Sequence, residues 1–383
     1  MIRKLIATLC LVIAATTLQA QQPTAEQVLS TTRLVNDYFM QKYEDPTVPT
    51  NVKKIRPSSL WTRAVYYEGL MALNDIDPQQ RYIDYTDQWG NFHQWTPRNG
   101  IKTNDADDQC CSQTYLMRYV QTGDERMLKP TIENLEQQMQ STNPKAGGSL
   151  YGWWTWIDAI QMAMPVYMQA YQITGEKRYR DHAMKMYRWS RNECGGGLFN
   201  AKGDKLWWRD ADYVPPYKEP DGKDCYWSRG NGWVYAALVR CLNQLLEKKD
   251  KAVYKELKKD FLLMSEGISV CQREDGYWNP SLVSTNYEMP ETSGTALFLY
   301  GICWGMQKGW LKANVYMPIA HKAWKAITSA IHTNGFIGWM QGTGKDPSAG
   351  QPLSYTRIPD FEDYGTGCVL LGAVEYYKVL CIK

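Results

Sequence analysis

The 383-residue sequence predicts an all-α fold, a double ring of six helical hairpins of the (α/α)6 barrel type. Three observations lead there. Three segments repeat one pattern, an apolar helix, a short turn holding Gly or Pro beside an acid, and a second helix. Their turns, at residues 77, 124 and 176, stand 47 and 52 residues apart, a period that marks an array of helical hairpins. Strand-like alternation of apolar and polar residues is scarce. Finally, a simple core stops growing at roughly 250–300 residues; a closed ring whose inner helices pack on one another and whose outer helices cover them removes that limit.

The elements follow in chain order. Residues 1–20 read as a leader: Arg3 and Lys4 give a basic start, Leu5 to Leu18 an apolar run, and Leu18-Gln19-Ala20 a small-residue cleavage signal. The run is shorter than the about 20 residues a membrane span needs, so the expectation is an exported protein, periplasmic or secreted, with no stable membrane insertion after cleavage. One domain is expected from residue 22 to 383. Ala25–Tyr43 is the first helix. Tyr66–Leu73 pairs with Arg81–Trp89 through Asp77-Pro78, Tyr115–Val120 with Met127–Met139 through Gly123-Asp124, and Met164–Gln172 with Tyr179–Trp189 through Gly175-Glu176. Val234–Leu246 then pairs with Val253–Cys271, and Ala296–Gln307 with Tyr316–Ile331. Val369–Val379 is left without a following helix; Ala25–Tyr43 supplies its partner and completes twelve helices.

Composition narrows the function. Lys+Arg 43 against Asp+Glu 40 leaves a net charge of +3, which argues against nucleic acid held by bulk charge. Trp 16 and Tyr 26 against Phe 7 favour flat apolar faces with a polar edge, the surface on which sugar rings stack. Cys10 leaves with the leader, so nine of the ten cysteines remain, an odd number that cannot pair completely. Cys241, Cys303 and Cys368 lie in apolar helical stretches and read as small buried hydrophobes. The four histidines, His93, His182, His321 and His332, lack metal-ligand spacing, and no metal or organic cofactor is expected.

A second regularity concerns chemistry. A polar, aromatic or glycine-rich patch precedes the first helix of each hairpin: Ser58-Ser59-Leu60-Trp61, Asp107-Asp108-Gln109, Trp153 to Asp158, Trp227 to Trp233, Glu291 to Thr295, and Tyr364-Gly365-Thr366-Gly367. If these helices form the inner ring they run parallel, their N-termini meet at one end, and the patches make one pocket. Unpaired backbone N–H groups and the positive helix ends would draw an anion there. Ser, Thr, Asp and Asn in such places are also ordinary helix caps, which suffices for Thr295 or Ser293. Asp158 is different. It follows Trp153, Trp154 and Trp156 and opens an apolar face, where a carboxylate is costly to bury. Trp227-Ser228-Arg229-Gly230-Asn231-Gly232-Trp233 likewise exceeds what a turn needs, since Arg229 offers a two-pronged fork for a carboxylate. Two carboxylates, a guanidinium and indoles suit cleavage of a uronic-acid saccharide. Asp108 and Asp158 could divide acid and base duties in an inverting hydrolysis, or one carboxyl could make both proton transfers on a substrate already carrying a C=C bond. A lyase acting on saturated polymer and a non-catalytic saccharide-binding protein are the alternatives.

At these residues the chain resembles the unsaturated glucuronyl and rhamnogalacturonyl hydrolases of glycoside hydrolase families 88 and 105, over nearly its whole mature length. The resemblance is carried by Asp107-Asp108-Gln109, Trp156-Ile157-Asp158-Ala159, and Trp227 to Trp233, with support from Asp275-Gly276-Tyr277-Trp278, Glu291-Thr292-Ser293-Gly294-Thr295 and Tyr364-Gly365-Thr366-Gly367. It implies removal of a Δ4,5-unsaturated uronic acid from the non-reducing end of lyase-generated oligosaccharides. By that resemblance Asp158 protonates C4 and activates the water adding at C5, and the resulting hemiketal collapses. Asp108 holds sugar hydroxyls and tunes Asp158. Arg229, with backbone N–H groups near Gly230 and Asn231, grips the uronate, and Trp156, Trp227 and Trp233 line the site beside Trp61, Thr292 and Tyr364. The family often carries a His between the catalytic Asp and the Arg-Gly-Asn-Gly motif, yet none occurs between His182 and His321. Trp207-Trp208-Arg209-Asp210 fills that loop and is expected to stand in, with Trp208 and Arg209 reaching substrate and Tyr213 and Lys218 helping to set its subtype. For Asp158 to act as the acid, burial and the negative neighbour Asp108 must outweigh the helix end that lowers a carboxyl pKa.

Overall fold

The computed structural model describes residues 22–51, 55–358 and 360–382; the leader expected over residues 1–20 lies outside them. Thr24 opens the first helix with a reciprocal cap, its hydroxyl accepting from Gln27 N and its own N–H donating to the Gln27 side chain. The helices are α1 (Ala25–Lys42), α2 (Trp61–Ile76), α3 (Gln80–Phe92), the single turn α4 (Ala106–Gln109), α5 (Ser112–Thr122), α6 (Lys129–Met139), α7 (Asp158–Thr174), α8 (Lys177–Asn192), α9 (Ser228–Asn243), α10 (Lys251–Ser269), α11 (Thr292–Gln307), α12 (Ala313–Ala330) and α13 (Asp363–Cys381). A two-residue antiparallel pair, Thr50–Asn51 with Ile55–Arg56, is the one named sheet among the described residues. The expected Asp77, Gly123 and Gly175 turns end α2, α5 and α7, the two glycines in the left-handed conformation at φ 71° and 74°. The fourth hairpin differs slightly: α9 stops at Asn243 rather than running on to Leu246.

Burial separates the two rings. In α7 every residue from Asp158 to Tyr171 is buried, and in α11 every residue from Thr292 to Gly305. A helix apolar all round belongs inside. The outer helix α8 instead buries one stripe, Tyr179, His182, Ala183, Met184, Met186, Tyr187 and Ser190. The inner helices α2, α5, α7, α9, α11 and α13 touch in that order, and α13 returns to α2. The closing seam is tight. A Cβ on Gly367 of α13 would stand 2.2 Å from the Val65 carbonyl of α2, and Arg63 Nε meets Asp363 Oδ2 at 2.9 Å with both side chains 1% exposed. On the outside α1 packs against α13, the pairing expected for the first and last helices. The nine cysteines of the described residues are unpaired, with Cys241, Cys303 and Cys368 buried. Among the described residues no helix is long and apolar enough to cross a membrane.

Candidate active site

Because the inner helices are parallel, their first turns gather at one end of the barrel. Packing there is direct: a Cβ on Gly230 of α9 would lie 3.1 Å from Ile157 Cδ1 and 2.8 Å from the Trp227 ring, so Gly230 permits α9 to press against the start of α7. Asp158 and Arg229 therefore open neighbouring helices at the same end, as the sequence required.

Asp158 is the first residue of α7 and is 8% exposed. The residues before it pair with the loop after α8. Trp156 bridges Asp210 in antiparallel fashion, and Ile157 N–H donates to the Arg209 carbonyl at 2.9 Å. That pairing returns the Arg209 side chain to the helix start, where Nε donates to Asp158 Oδ2 at 3.1 Å and Nη1 to Asp210 Oδ2 at 2.6 Å. The loop expected to stand in for the missing His thus delivers a guanidinium to the Asp158 carboxylate. His182 is remote from this work, buried in α8 and stacked on Tyr167.

Asp108, expected to hold sugar hydroxyls and tune Asp158, is engaged by its own loop. Asp108 accepts from Arg98 Nη1 at 2.9 Å, Asn99 Nδ2 at 3.0 Å and Thr103 Oγ1 at 2.6 Å, so its carboxylate is consumed in folding the 98–103 loop. The adjacent Asp107 is a carboxyl on which the Asp158 charge acts. Asp105 caps α4 by accepting from Asp107 N at 2.9 Å. Burial above all, then the negative charges of Asp105 and Asp158, pushes the Asp107 carboxyl up to about 8, against the pull of Arg209. Adjacent residues on a helix point about 100° apart, so one member of an Asp-Asp pair faces the axis, and the sequence does not say which. The donors Arg98, Asn99 and Thr103 just upstream were the available sign that a carboxylate is used locally.

Arg229 also corrects the expectation. It is fully buried, with Nη1 donating to the Gln341 carbonyl at 3.0 Å and Nη2 to the Gly342 carbonyl at 2.7 Å, so its fork is closed by backbone. It lies over the Trp227 and Tyr364 rings, 4.6 and 4.9 Å from their centroids. No carboxylate among the described residues is within ion-pair distance, and Nε is without a partner. A buried cation with neutral partners alone is costly to keep. Three further residues serve as framework. Asn231 accepts from Trp207 N at 2.8 Å and donates to the Trp207 and Trp227 carbonyls at 3.0 Å each, tying the Arg209 loop to α9. Thr292 spends its hydroxyl on the Gly338 carbonyl at 2.9 Å. Trp227 donates from Nε1 to Gln341 Oε1 at 2.8 Å.

The aromatic lining divides in the same way. Trp227, Trp233 and Tyr364 are buried, whereas Trp61, Trp156 and Trp208 keep part of their surface open. Trp61, at the start of α2, lies 6.1 Å from Trp233 and 5.4 Å from Tyr364 between centroids, so the buried rings form a wall behind an accessible one. Of the three indoles before Asp158, Trp153 turns away to donate to the Ser141 carbonyl, and Trp154 packs towards Tyr167.

This arrangement has counterparts. The sequence model of Glycosyl Hydrolase Family 88 matches residues 31–380. The chain belongs to that family. Family 88 membership makes it a glycoside hydrolase, and the ring of hairpins is the architecture of its structural neighbours. It is 31% identical over 337 residues, 83% of this chain and 84% of the other, to an unsaturated 3S-rhamnoglycuronyl hydrolase of Formosa agariphila. A protein of that name from Alteromonas sp. (strain LOR) is 30% identical over 351 residues, 84% of this chain and 78% of its own. Among solved structures, a glycosyl hydrolase family 88 protein from Bacteroides vulgatus superposes with a TM-score of 0.82 at 30% identity, covering 93% of this chain and all of its own.

Proposed function

We propose that this family 88 hydrolase removes a Δ4,5-unsaturated uronic acid from the non-reducing end of oligosaccharides left by a polysaccharide lyase, by hydrating the vinyl ether. The observation that carries the reading is the pair at the helix starts: Asp107, whose carboxyl is raised by desolvation and by the charges of Asp105 and Asp158, and Asp158, ion-paired with Arg209 at 3.1 Å. Vinyl-ether hydration needs one proton given and one taken. Asp107 supplies the proton to C4, and Asp158 takes a proton from the water whose oxygen bonds to C5. The C5 hemiketal opens to a ketone, C1 becomes a hemiacetal, and the leaving sugar departs with its own oxygen protonated. The pair regains its starting state once the proton passes from Asp158 to Asp107. The uncompensated charge of Arg229 draws the uronate carboxylate to this end of the barrel, and Trp61, Trp156 and Trp208 offer the open faces for sugar rings. The names of the two relatives favour rhamnose as the next sugar. Export to the periplasm or the medium, supported by the leader, puts the enzyme where lyase products arise.

The test is the ultraviolet absorbance of the conjugated C=C in a lyase digest. The wild-type protein removes the signal, and Asp158→Asn, still folded, leaves it. Full activity in that variant, or release of sugar from intact polymer without loss of a C=C signal, overturns the reading.

A further inference from the structure

Cys110 lies one helical turn below Asp107, and Gln161 one turn below Asp158. Both reach the same side chain, Glu68 of α2. Gln161 Nε2 donates to Glu68 Oε2 at 2.9 Å, and the Cys110 thiol to Oε1 at 3.6 Å. Arg240 of α9 approaches Oε2 at 3.6 Å and donates through Nε to Gln113 Oε1 at 2.7 Å. Gln113 Nε2 in turn donates to the Gln161 carbonyl at 2.8 Å. Glu68, Cys110, Gln113, Gln161 and Arg240 thus form a polar plate across the ring axis beneath the catalytic pair, joining α2, the α4–α5 junction, α7 and α9. Glu68 itself has no exposed surface.

A carboxylate at the centre of a barrel costs several kcal/mol to desolvate, and well-packed apolar residues would hold the helices at least as firmly. What the plate supplies beyond packing is fixed bond lengths between specific turns. We propose that Glu68 is a positioning residue for the reaction: by gripping one residue beneath each carboxylate, it sets the separation of Asp107 from Asp158. The inference rests on reading those two as the reacting pair. Their separation governs how strongly each charge acts on the other, and hence the pH at which the pair loses its proton. The groups facing Glu68 are few. Arg240 is the cation, Cys110 the thiol, and Tyr300 of α11 and Cys368 of α13 feel its charge. Asp75, Glu375 and Lys378 lie farther along the cavity that opens below it. Around Asp107 the charges are Asp105, Asp108, Asp158 and Arg209.

The experiment compares Glu68→Leu, Glu68→Gln and Gln161→Met in the full-length protein, with steady-state kinetics across pH. Glu68→Leu cuts both ties, and kcat is expected to fall about ten- to a hundredfold, as a misplacement near 1 Å would cause, with KM within about twofold. The alkaline limb should move to lower pH as the carboxylates separate. Glu68→Gln keeps an oxygen for Gln161 and is expected within about threefold of wild-type kcat, since one weak tie is lost. A loss of fold stability alone would lower the amount of active enzyme without moving the limb. Wild-type kcat and an unmoved limb in folded Glu68→Leu overturn the proposal. If that variant does not fold, Gln161→Met decides by the same two readings. Asp107→Asn and Asp158→Asn run alongside: activity in both sinks the pair, whereas inactivity in both with an active Glu68→Leu sinks only the plate.

Discussion

Asp107 gives the sharpest test of the site, because in the proposed reaction its proton is both the reagent and the observable. Its carboxyl is pushed up to about 8 by burial and by the charges of Asp105 and Asp158. If the protonated form delivers the proton to C4, kcat/KM holds steady through neutrality, halves near that pH, and falls tenfold per further unit, leaving about a tenth near pH 9. Arg209 is the one neighbour working against the shift. Arg209→Met removes a positive charge whose side chain is 19% exposed, so its field is partly screened and worth about 1 kcal/mol. The limb should therefore rise by about 0.5–1 pH unit, while kcat drops because the Asp158 carboxylate loses its tether. Initial rates of C=C loss between pH 5 and 10 for both proteins provide the measurement. A profile flat to pH 10, or a limb that moves down in Arg209→Met, would refute the assignment of the proton to Asp107.

The other predictions concern the surroundings of the pair. Asp107→Asn should lower kcat by about 10²–10⁴, as expected for loss of a general acid, whereas Asp108→Asn, losing a loop ion pair, should cost about 1–3 kcal/mol of stability and less than about tenfold in rate. Equal kinetic damage in the two would reverse the distinction drawn between them. Gly367→Ala places a Cβ 2.2 Å from the Val65 carbonyl, and denaturant unfolding should show a loss of about 2–3 kcal/mol; wild-type stability would mean the seam is looser than described. Burial raises Glu68 from an ordinary 4.5 to about 7. A carboxyl raised on folding favours the folded state most fully below its unfolded value, so stability is lost as pH climbs from about 4.5 through 7, by at most about 3 kcal/mol. Thermal unfolding at pH 5 and pH 8 should reveal that slope and a flatter one in Glu68→Gln.

Nearly all of the architecture was legible because hairpin turns and apolar periodicity are local properties. Asp77-Pro78, Gly123-Asp124 and Gly175-Glu176 mark their turns in the sequence, and the pairing of α1 with α13 follows from counting unpartnered helices. The gathering of the patches at one end of the barrel was legible too, since each precedes an inner helix. What the sequence did not disclose depends on where side chains turn. Asp107 and Asp108 are chemically identical, and what sets them apart is that Arg98, Asn99 and Thr103 bond Asp108, through a loop conformation no local pattern specifies. Arg229 and Asn231 belong to a conspicuous motif, but whether they meet substrate or the backbone of another loop depends on Gln341, Gly342 and Trp207, more than a hundred residues away in the first two cases. Glu68 sits in an apolar stretch where a lone carboxylate reads as incidental until its partners are placed.

The seam between α13 and α2, with α1 laid over α13, joins parts of the chain roughly three hundred residues apart. Contacts of such long range form late, since their loop entropy must be met before they contribute. Until α13 docks, Arg63 lacks Asp363, and the flanks of α2 and α11 that α13 will cover stay bare to solvent. Five hairpins are then an open crescent with adhesive edges, prone to join another crescent in place of its own missing piece. Transport across a membrane as an extended polypeptide, followed by folding of the entire chain at once, would shorten the time any such crescent persists.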